Sequence, residues 1–148
     1  MKLVQCTSTR QEGWLDFRRA LWPDATVDEH LAEMQLFVEQ PARFAQLVAY
    51  TSNGEPAGFI EAALRMDYVN GTDSSPVAFL EGLYVAPLFR RQGIGTILIA
   101  TIIAWAKASG CTEIASDALL DNEASQAMYH VLGFEETERV VFFRKLIP

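Results

Sequence analysis

The chain has 148 residues, half of them apolar, 21% charged, and a net charge of −7. That length suits a single domain spanning 1–148 with a real core, and the composition excludes a disordered chain. No run reaches the length of a membrane span and no basic stripe exists to neutralise phosphates, so neither a membrane nor a nucleic acid is an expected partner. Cys6 and Cys111 form neither a disulfide framework nor a metal pair, and the N-terminus lacks the layout of a signal peptide, which points to the cytoplasm. His30 and His130 are too few and too scattered for zinc, so no metal is expected. The acidic excess suits a cationic ligand, although most of these carboxylates, Glu12, Glu39 and Glu55 among them, need do no more than keep the protein soluble.

In chain order, Lys2–Cys6 reads as a short strand. Gln11–Leu21 places Trp14, Phe17, Arg18 and Leu21 at helical spacing and is stopped by Pro23. Asp28 is placed to cap a second helix in which Leu31, Met34 and Val38 share a face. Leu47–Ser52 and Ala57–Arg65 flank the hairpin signal Asn53-Gly54. After the polar loop Asp67–Pro76 comes a strand over Val77–Val85, then a helix from Ile94 to Ser109 whose stripe is Ile94, Leu98, Ile102 and Trp105, punctuated by Gly110. Glu113–Ser116 is a short strand, Asn122 caps a helix ending at Leu132-Gly133, and Glu135–Leu146 alternates as a final strand or two. The order implies an α/β fold with a mixed sheet covered by helices.

Chemistry concentrates between Leu83 and Gly95. An apolar strand stops at Pro87, Arg90 and Arg91 follow, and a glycine-spaced turn opens the long helix. Such a turn presents free N–H groups at a positive helix end, a cradle for a pyrophosphate. It is not a P-loop, because Thr96 and Ile97 follow Gly95 where Lys-Ser/Thr is required, nor a dinucleotide fingerprint, because Leu98 stands where a third small residue belongs. Within Val77–Val85, unbroken alternation puts Glu81 on a face with Val77, Phe79, Leu83 and Val85. A carboxylate there needs a partner; a substrate amine would be one, and desolvation would suit it to take up a proton. The alternatives are a pairing with Arg65 or another neighbouring arginine, or an outward turn at a bulge by Gly82.

The pattern Arg90-x-x-Gly93-x-Gly95 after a strand and Pro87 resembles the acyl-CoA signature of the GNAT N-acetyltransferase superfamily, and Asn122 to Gly133-Phe134, with Tyr129 inside, resembles its second hallmark. Further blocks resemble the aminoglycoside 6'-N-acetyltransferases of the chromosomal enterobacterial and acinetobacter type. They are Leu21-Trp22-Pro23, Asp67-Tyr68-Val69-Asn70-Gly71, Asp73 to Pro76, Phe79 to Gly82, Ala115-Ser116-Asp117 and Gly133 to Val140.

The resemblance implies a GNAT fold with a mixed, mostly antiparallel sheet flanked by helices, acetyl-CoA as cosubstrate, and direct attack in a ternary complex. It implies that Arg90, Arg91, Gln92, Gly93, Ile94 and Gly95 hold the pyrophosphate, that the backbone of Leu83, Tyr84 and Val85 pairs with the pantetheine arm, and that Asn122 contacts the cofactor. Tyr129 is the implied acid for the thiolate and Glu81 a substrate ligand and candidate base. Trp22, Tyr68, Asp117 and Glu138 are implied substrate contacts, Glu138 reaching across a homodimer interface. Outside the resemblance, Tyr129 reads as a core aromatic, Asp117 as a turn aspartate, Trp22 as a helix-end core residue, and Glu135, Glu136 and Glu138 as a solvated edge. After Trp22-Pro23 some relatives carry a histidine where this chain has Asp24-Ala25, which bears on substrate range. Two other functions fit the cofactor half: an acetyltransferase for a polyamine, peptide amine or other cationic metabolite, and a non-catalytic acyl-CoA sensor.

Overall fold

The expected apolar runs become β1 (Lys2–Gln5), β2 (Phe44–Tyr50), β3 (Pro56–Arg65) and β4 (Val77–Val85), joined by the two-residue β5 (Ile114–Ala115). The computed structural model describes residues 1–148. The strands lie in the order β1-β2-β3-β4-β5, antiparallel except for the parallel β4/β5 pair. Parallel pairing needs a crossover, and α3 (Ile94–Ala108) supplies it. The remaining helices are α1 (Trp14–Leu21), α2 (Val27–Glu39) and α4 (Glu123–Val131).

Two apolar layers hold the sheet. On one face Trp14 and Phe17 of α1 and Met34 and Phe37 of α2 pack on Phe44, Val48 and Phe59. On the other, Ile94, Leu98, Ile99 and Ile102 of α3 pack on Ile60, Ala62, Leu80 and Leu83. β3 is buried from Ala57 to Leu64, so its apolar run is continuous instead of alternating. The turn before it uses Gly54 at φ 81°, a left-handed conformation that favours glycine.

A charged cluster lies under α1 and α2. The Arg18 guanidinium, 1% exposed, binds both carboxylate oxygens of Glu61 on β3 and also Glu33 on α2. Trp14 donates its indole N–H to Glu61 at 3.3 Å. Burial pushes the Glu61 carboxyl up to about 7, while Arg18 and Trp14 pull it back. Removing one partner would strand a buried charge, a loss of about 3–5 kcal/mol.

Two expectations are corrected. Asp28 does not cap α2: Thr26 does, accepting from the Glu29 N–H at 3.1 Å while Glu29 accepts from the Thr26 N–H at 3.1 Å. Two residues nearer the helix interior, Asp28 lies in the first turn, where its charge favours the positive helix end. The tail forms no strand either. Residues 135–148 are exposed throughout, Phe142 at 83% and Phe143 at 92%. Alternation marks two faces, but a strand also needs a neighbouring edge for its N–H and C=O groups, and none within the chain meets this tail.

Replacing Thr26 by Ala removes the Oγ acceptor at the start of α2 and should cost about 1 kcal/mol. Urea denaturation measures it; an unchanged midpoint would remove the capping box from the list of forces holding α2.

Candidate active site

β4 makes the site because it breaks its own pattern. Glu61 pairs with Gly82 and Ala62 with Leu80, leaving Glu81 as an extra, bulged residue. The side-chain alternation therefore slips by one. Phe79 lies opposite Ala63 on the α1/α2 side, whereas Leu83 lies opposite Ile60 on the α3 side. The shared face expected for Val77, Phe79, Glu81, Leu83 and Val85 does not exist, and Glu81 is not a desolvated carboxylate in an apolar row. It is half-buried and accepts from Arg65 at 3.0 Å, and Arg65 stacks over Phe79 at 3.7 Å.

On its other side β4 pairs with β5 only at Ala78 and Phe79. Beyond them the strands part, and the edge from Leu80 to Val85 has no strand beside it. Ser116, just past β5, donates to the Leu80 carbonyl at 3.1 Å. Its single hydroxyl proton is thereby committed, so at the 2.6 Å contact with Tyr129 it is Tyr129 that donates to Ser116. Burial raises the Tyr129 phenol above its ordinary value, the Ser116 bond opposes this, and the charge of Asp117 adds to it. The phenol thus keeps its proton at neutral pH. Tyr129 packs edge-on against Phe134 at 5.2 Å, which fixes the end of α4 against the sheet.

At the C-terminal end of β4, a 3-10 turn (Pro87–Phe89) leads into the arginine bend. Arg90 folds back, donating Nε–H to the Val85 carbonyl at 2.8 Å with its guanidinium 5.4 Å from the Tyr84 ring. Arg91 has φ 62° and Gly93 φ 82°, two left-handed positions on either side of Gln92 that bend the chain into the start of α3. Gly93 carries no side chain to cap α3, and the first in-helix bond runs from the Ile97 N–H to the Gly93 carbonyl. The N–H groups of the first turn thus stay available for an anion. Arg91 and Gln92 are exposed around them, while Ile94 is buried and anchors the turn. At Gly95 an added Cβ would sit 3.8 Å from Leu132, so α4 closes one side of this end.

The remaining expected residues lie on separate elements, and only Trp22 is in contact with the bulge. Trp22, half-buried, lays its indole edge on Gly82, where an added Cβ would come 2.5 Å from the ring. Tyr68 is exposed on the loop between β3 and β4, and Asp117 is exposed beyond β5 near Tyr129. Thr137 and Glu138 of the tail run against Gly71 of that same loop. Asn122 uses its Oδ1 to cap α4, accepting from the Ser125 N–H at 3.1 Å, which leaves its amide NH2 for other partners.

Three features escaped the sequence reading. Ser116 stands in the sequence only as part of the Ala115-Ser116-Asp117 block, and its bond to Tyr129 has no signature in spacing. Glu113 latches the Tyr68 loop by accepting from the Asp73 N–H at 2.9 Å and from the Ser74 hydroxyl. The Arg18–Glu61 cluster did leave a signal: an arginine on the apolar stripe of α1 and a glutamate amid Ala57–Leu64.

An open strand edge running into an uncapped helix N-terminus, with a protonated tyrosine beside it, fits an acyl-CoA thioester. The family model for the Acetyltransferase (GNAT) family matches residues 10–134, and the chain belongs to that family. Across its whole length it is 49% identical over 147 residues to an aminoglycoside N(6')-acetyltransferase type 1 of Acinetobacter genomosp. 13, covering 99% of each chain. The Serratia marcescens protein of the same name is 48% identical over 145 residues, covering 98% of this chain and 99% of its own. The crystal structure of aminoglycoside antibiotic 6'-N-acetyltransferase AAC(6')-Ih from Acinetobacter baumannii superposes with a TM-score of 0.93 at 48% identity over 99% of both chains. AAC(6')-Iy in complex with the bisubstrate analog CoA-S-monomethyl-acetylneamine gives 0.91 at 43% identity, over 99% of this chain and 98% of that one.

Hydrogen bonds from Ser74 and Asp73 hold the Glu113 carboxyl below its ordinary 4.5. A depressed carboxylate strengthens the latch above the ordinary range and releases it as pH falls through the folded-state value. In 13C NMR the Glu113 carboxyl should titrate below 4.5, and Ser74→Ala should move it upward. A midpoint at 4.5 in the unaltered protein would mean the latch does not hold in solution.

Proposed function

We propose that this protein transfers the acetyl group of acetyl-CoA to the 6'-amine of aminoglycoside antibiotics, conferring resistance to them. The observation that carries this reading is the course of β4: one free edge links the arginine bend to the Glu81 bulge. A single strand can then hold an acyl thioester at one end and meet a cation at the other. The full-length likeness to aminoglycoside N(6')-acetyltransferases supports the choice of cation.

In this reading the pyrophosphate of acetyl-CoA lies on the N–H groups of Gly93, Ile94 and Gly95, with Arg91 and Gln92 beside it. Arg90 braces the end of β4 through Val85. The pantetheine arm pairs with Leu83, Tyr84 and Val85, where a backbone N–H aimed at the thioester oxygen stabilises the developing charge. Asn122 has its amide NH2 free to reach the cofactor. Trp22, Tyr68 and the carboxylates of Glu81, Asp117 and Glu138 line the acceptor side, and the chain's acidic excess draws a polycation toward them. Glu81 exchanges its Arg65 contact for the incoming ammonium, whose proton leaves through water beside this carboxylate. The free amine attacks the thioester carbonyl, the C–S bond breaks, and the Tyr129 proton moves from its bond with Ser116 to the thiolate, while the proton that the nitrogen sheds as the amide forms restores the phenol. Neither free cysteine is needed as a nucleophile.

The exposed apolar tail supports a homodimer, in which a second copy supplies the strand edge that residues 140–147 lack. Two free thiols and an acetyl-CoA requirement support a cytoplasmic location. No helix is long and apolar enough to cross a membrane.

Release of free coenzyme A, followed over a panel of acceptors, tests the function. Aminoglycosides with a 6'-amine should be turned over and 6'-hydroxyl counterparts should not; turnover of polyamines or peptide amines alone would transfer the assignment to that class, and tight acetyl-CoA binding with no turnover would favour a sensor. Tyr129→Phe should lower kcat by about 100-fold with both KM values little changed. Asp117→Ala should raise the aminoglycoside KM more than that for acetyl-CoA; equal effects on both would place Asp117 outside the acceptor site. Sedimentation should find a dimer, and a chain ending at Arg139 should sediment as a monomer; a full-length monomer would dismiss the dimer.

A further inference from the structure

The buried charged cluster ends on Trp22. Arg18 donates Nε–H to His30 Nδ1 at 3.2 Å, so the imidazole is the Nε2–H tautomer, and Nε2 donates to the Trp22 carbonyl at 3.1 Å. The guanidinium carbon of Arg18 lies 4.9 Å from the centre of the Trp22 ring, and the Trp22 N–H bonds to the Arg18 carbonyl at 2.8 Å. The indole also meets Phe59 edge-on at 6.1 Å and sets its edge on Gly82. Gly82 pairs across the sheet with Glu61, the carboxylate that holds Arg18. The indole is therefore held by the guanidinium over its ring, by Phe59, and by the contact of its edge with Gly82, the residue next to the Glu81 bulge.

An apolar residue in place of Arg18 could fill the same volume without the cost of burying a charge. What an arginine adds is a planar fork with a fixed direction: one edge on Glu61, one on Glu33, one on His30, and a face on the indole.

We propose that Arg18 and His30 are positioning residues that set the Trp22 indole against Gly82 and so fix the aromatic wall on which the acceptor's amine-bearing ring lies. They act on acceptor recognition only through Trp22, which makes them determinants of which ring fits. The inference rests on the reading of Trp22 as an acceptor contact, so the test separates the two.

The full-length protein labelled with 5-fluorotryptophan gives a 19F resonance for each of Trp14, Trp22 and Trp105. His30→Ala leaves the Arg18–Glu61 pair intact, and Arg18→Lys keeps a cation for Glu61, so both variants retain a partner for the buried carboxylate. Each should shift or broaden the Trp22 resonance and raise the aminoglycoside KM by about tenfold, with kcat and the acetyl-CoA KM within about twofold. His30→Gln, which keeps a donor at the reach of Nε2, should recover most of the KM. If the Trp22 resonance and the KM stay put in both variants while Trp22→Ala raises the KM, the positioning role is overturned and the wall stands. If Trp22→Ala leaves the KM unchanged, the wall reading falls and takes the proposal with it. Parallel increases in both KM values, with no recovery by His30→Gln, would mark a merely structural role and overturn the proposal as well.

Discussion

Everything at the candidate site follows from β4 losing its partner after Phe79. A strand held on both sides is closed to ligands, because each N–H and C=O is already engaged. β4 keeps its full ladder to β3 but meets β5 at only two residues. The unpaired edge that results would be a liability on an outer strand; in the middle of a sheet it becomes a slot with walls. Ser116 sits at the fork, tying the first carbonyl of the open edge and accepting from the Tyr129 hydroxyl at once. The edge runs toward the positive end of α3, the end that suits an anion.

The bulge and the buried ion cluster are two sides of one arrangement. Gly82 has no side chain because Trp22 occupies the space, and Glu61 stands opposite Gly82 to hold the arginine that stacks on Trp22. The extra residue, Glu81, is pushed to the surface and meets Arg65. A carboxylate paired with an exposed arginine is easier for a cation to recruit than one locked in a core, since exposed pairs are worth about 0–1 kcal/mol.

Much of the fold was legible because periodicity reports burial directly. The β4 limits, the α3 start at Ile94 and the Asn122 cap all stand where turn chemistry and apolar spacing put them. The hairpin at Gly54 did too. What failed did so for physical reasons. Alternation assumes a constant register, and one bulge moved Glu81 off the face assigned to it. Propensity cannot choose between Thr26 and Asp28 as a cap, because both residue types serve and only the backbone decides. The tail alternates correctly but finds no edge in its own chain. Contacts such as Ser116 with Tyr129, or Glu113 with the Tyr68 loop, join residues whose separation carries no pattern at all.

Amide hydrogen exchange with and without coenzyme A bears most directly on the open slot. If β4 takes the pantetheine as an added strand and α3 takes the pyrophosphate, those amides of residues 82–85 that face away from β3 and the amides of 94–96 should slow together, while those of β3 stay as they were. Protection confined to the helix end, or absent from both segments, would contradict a strand edge that binds the thioester arm.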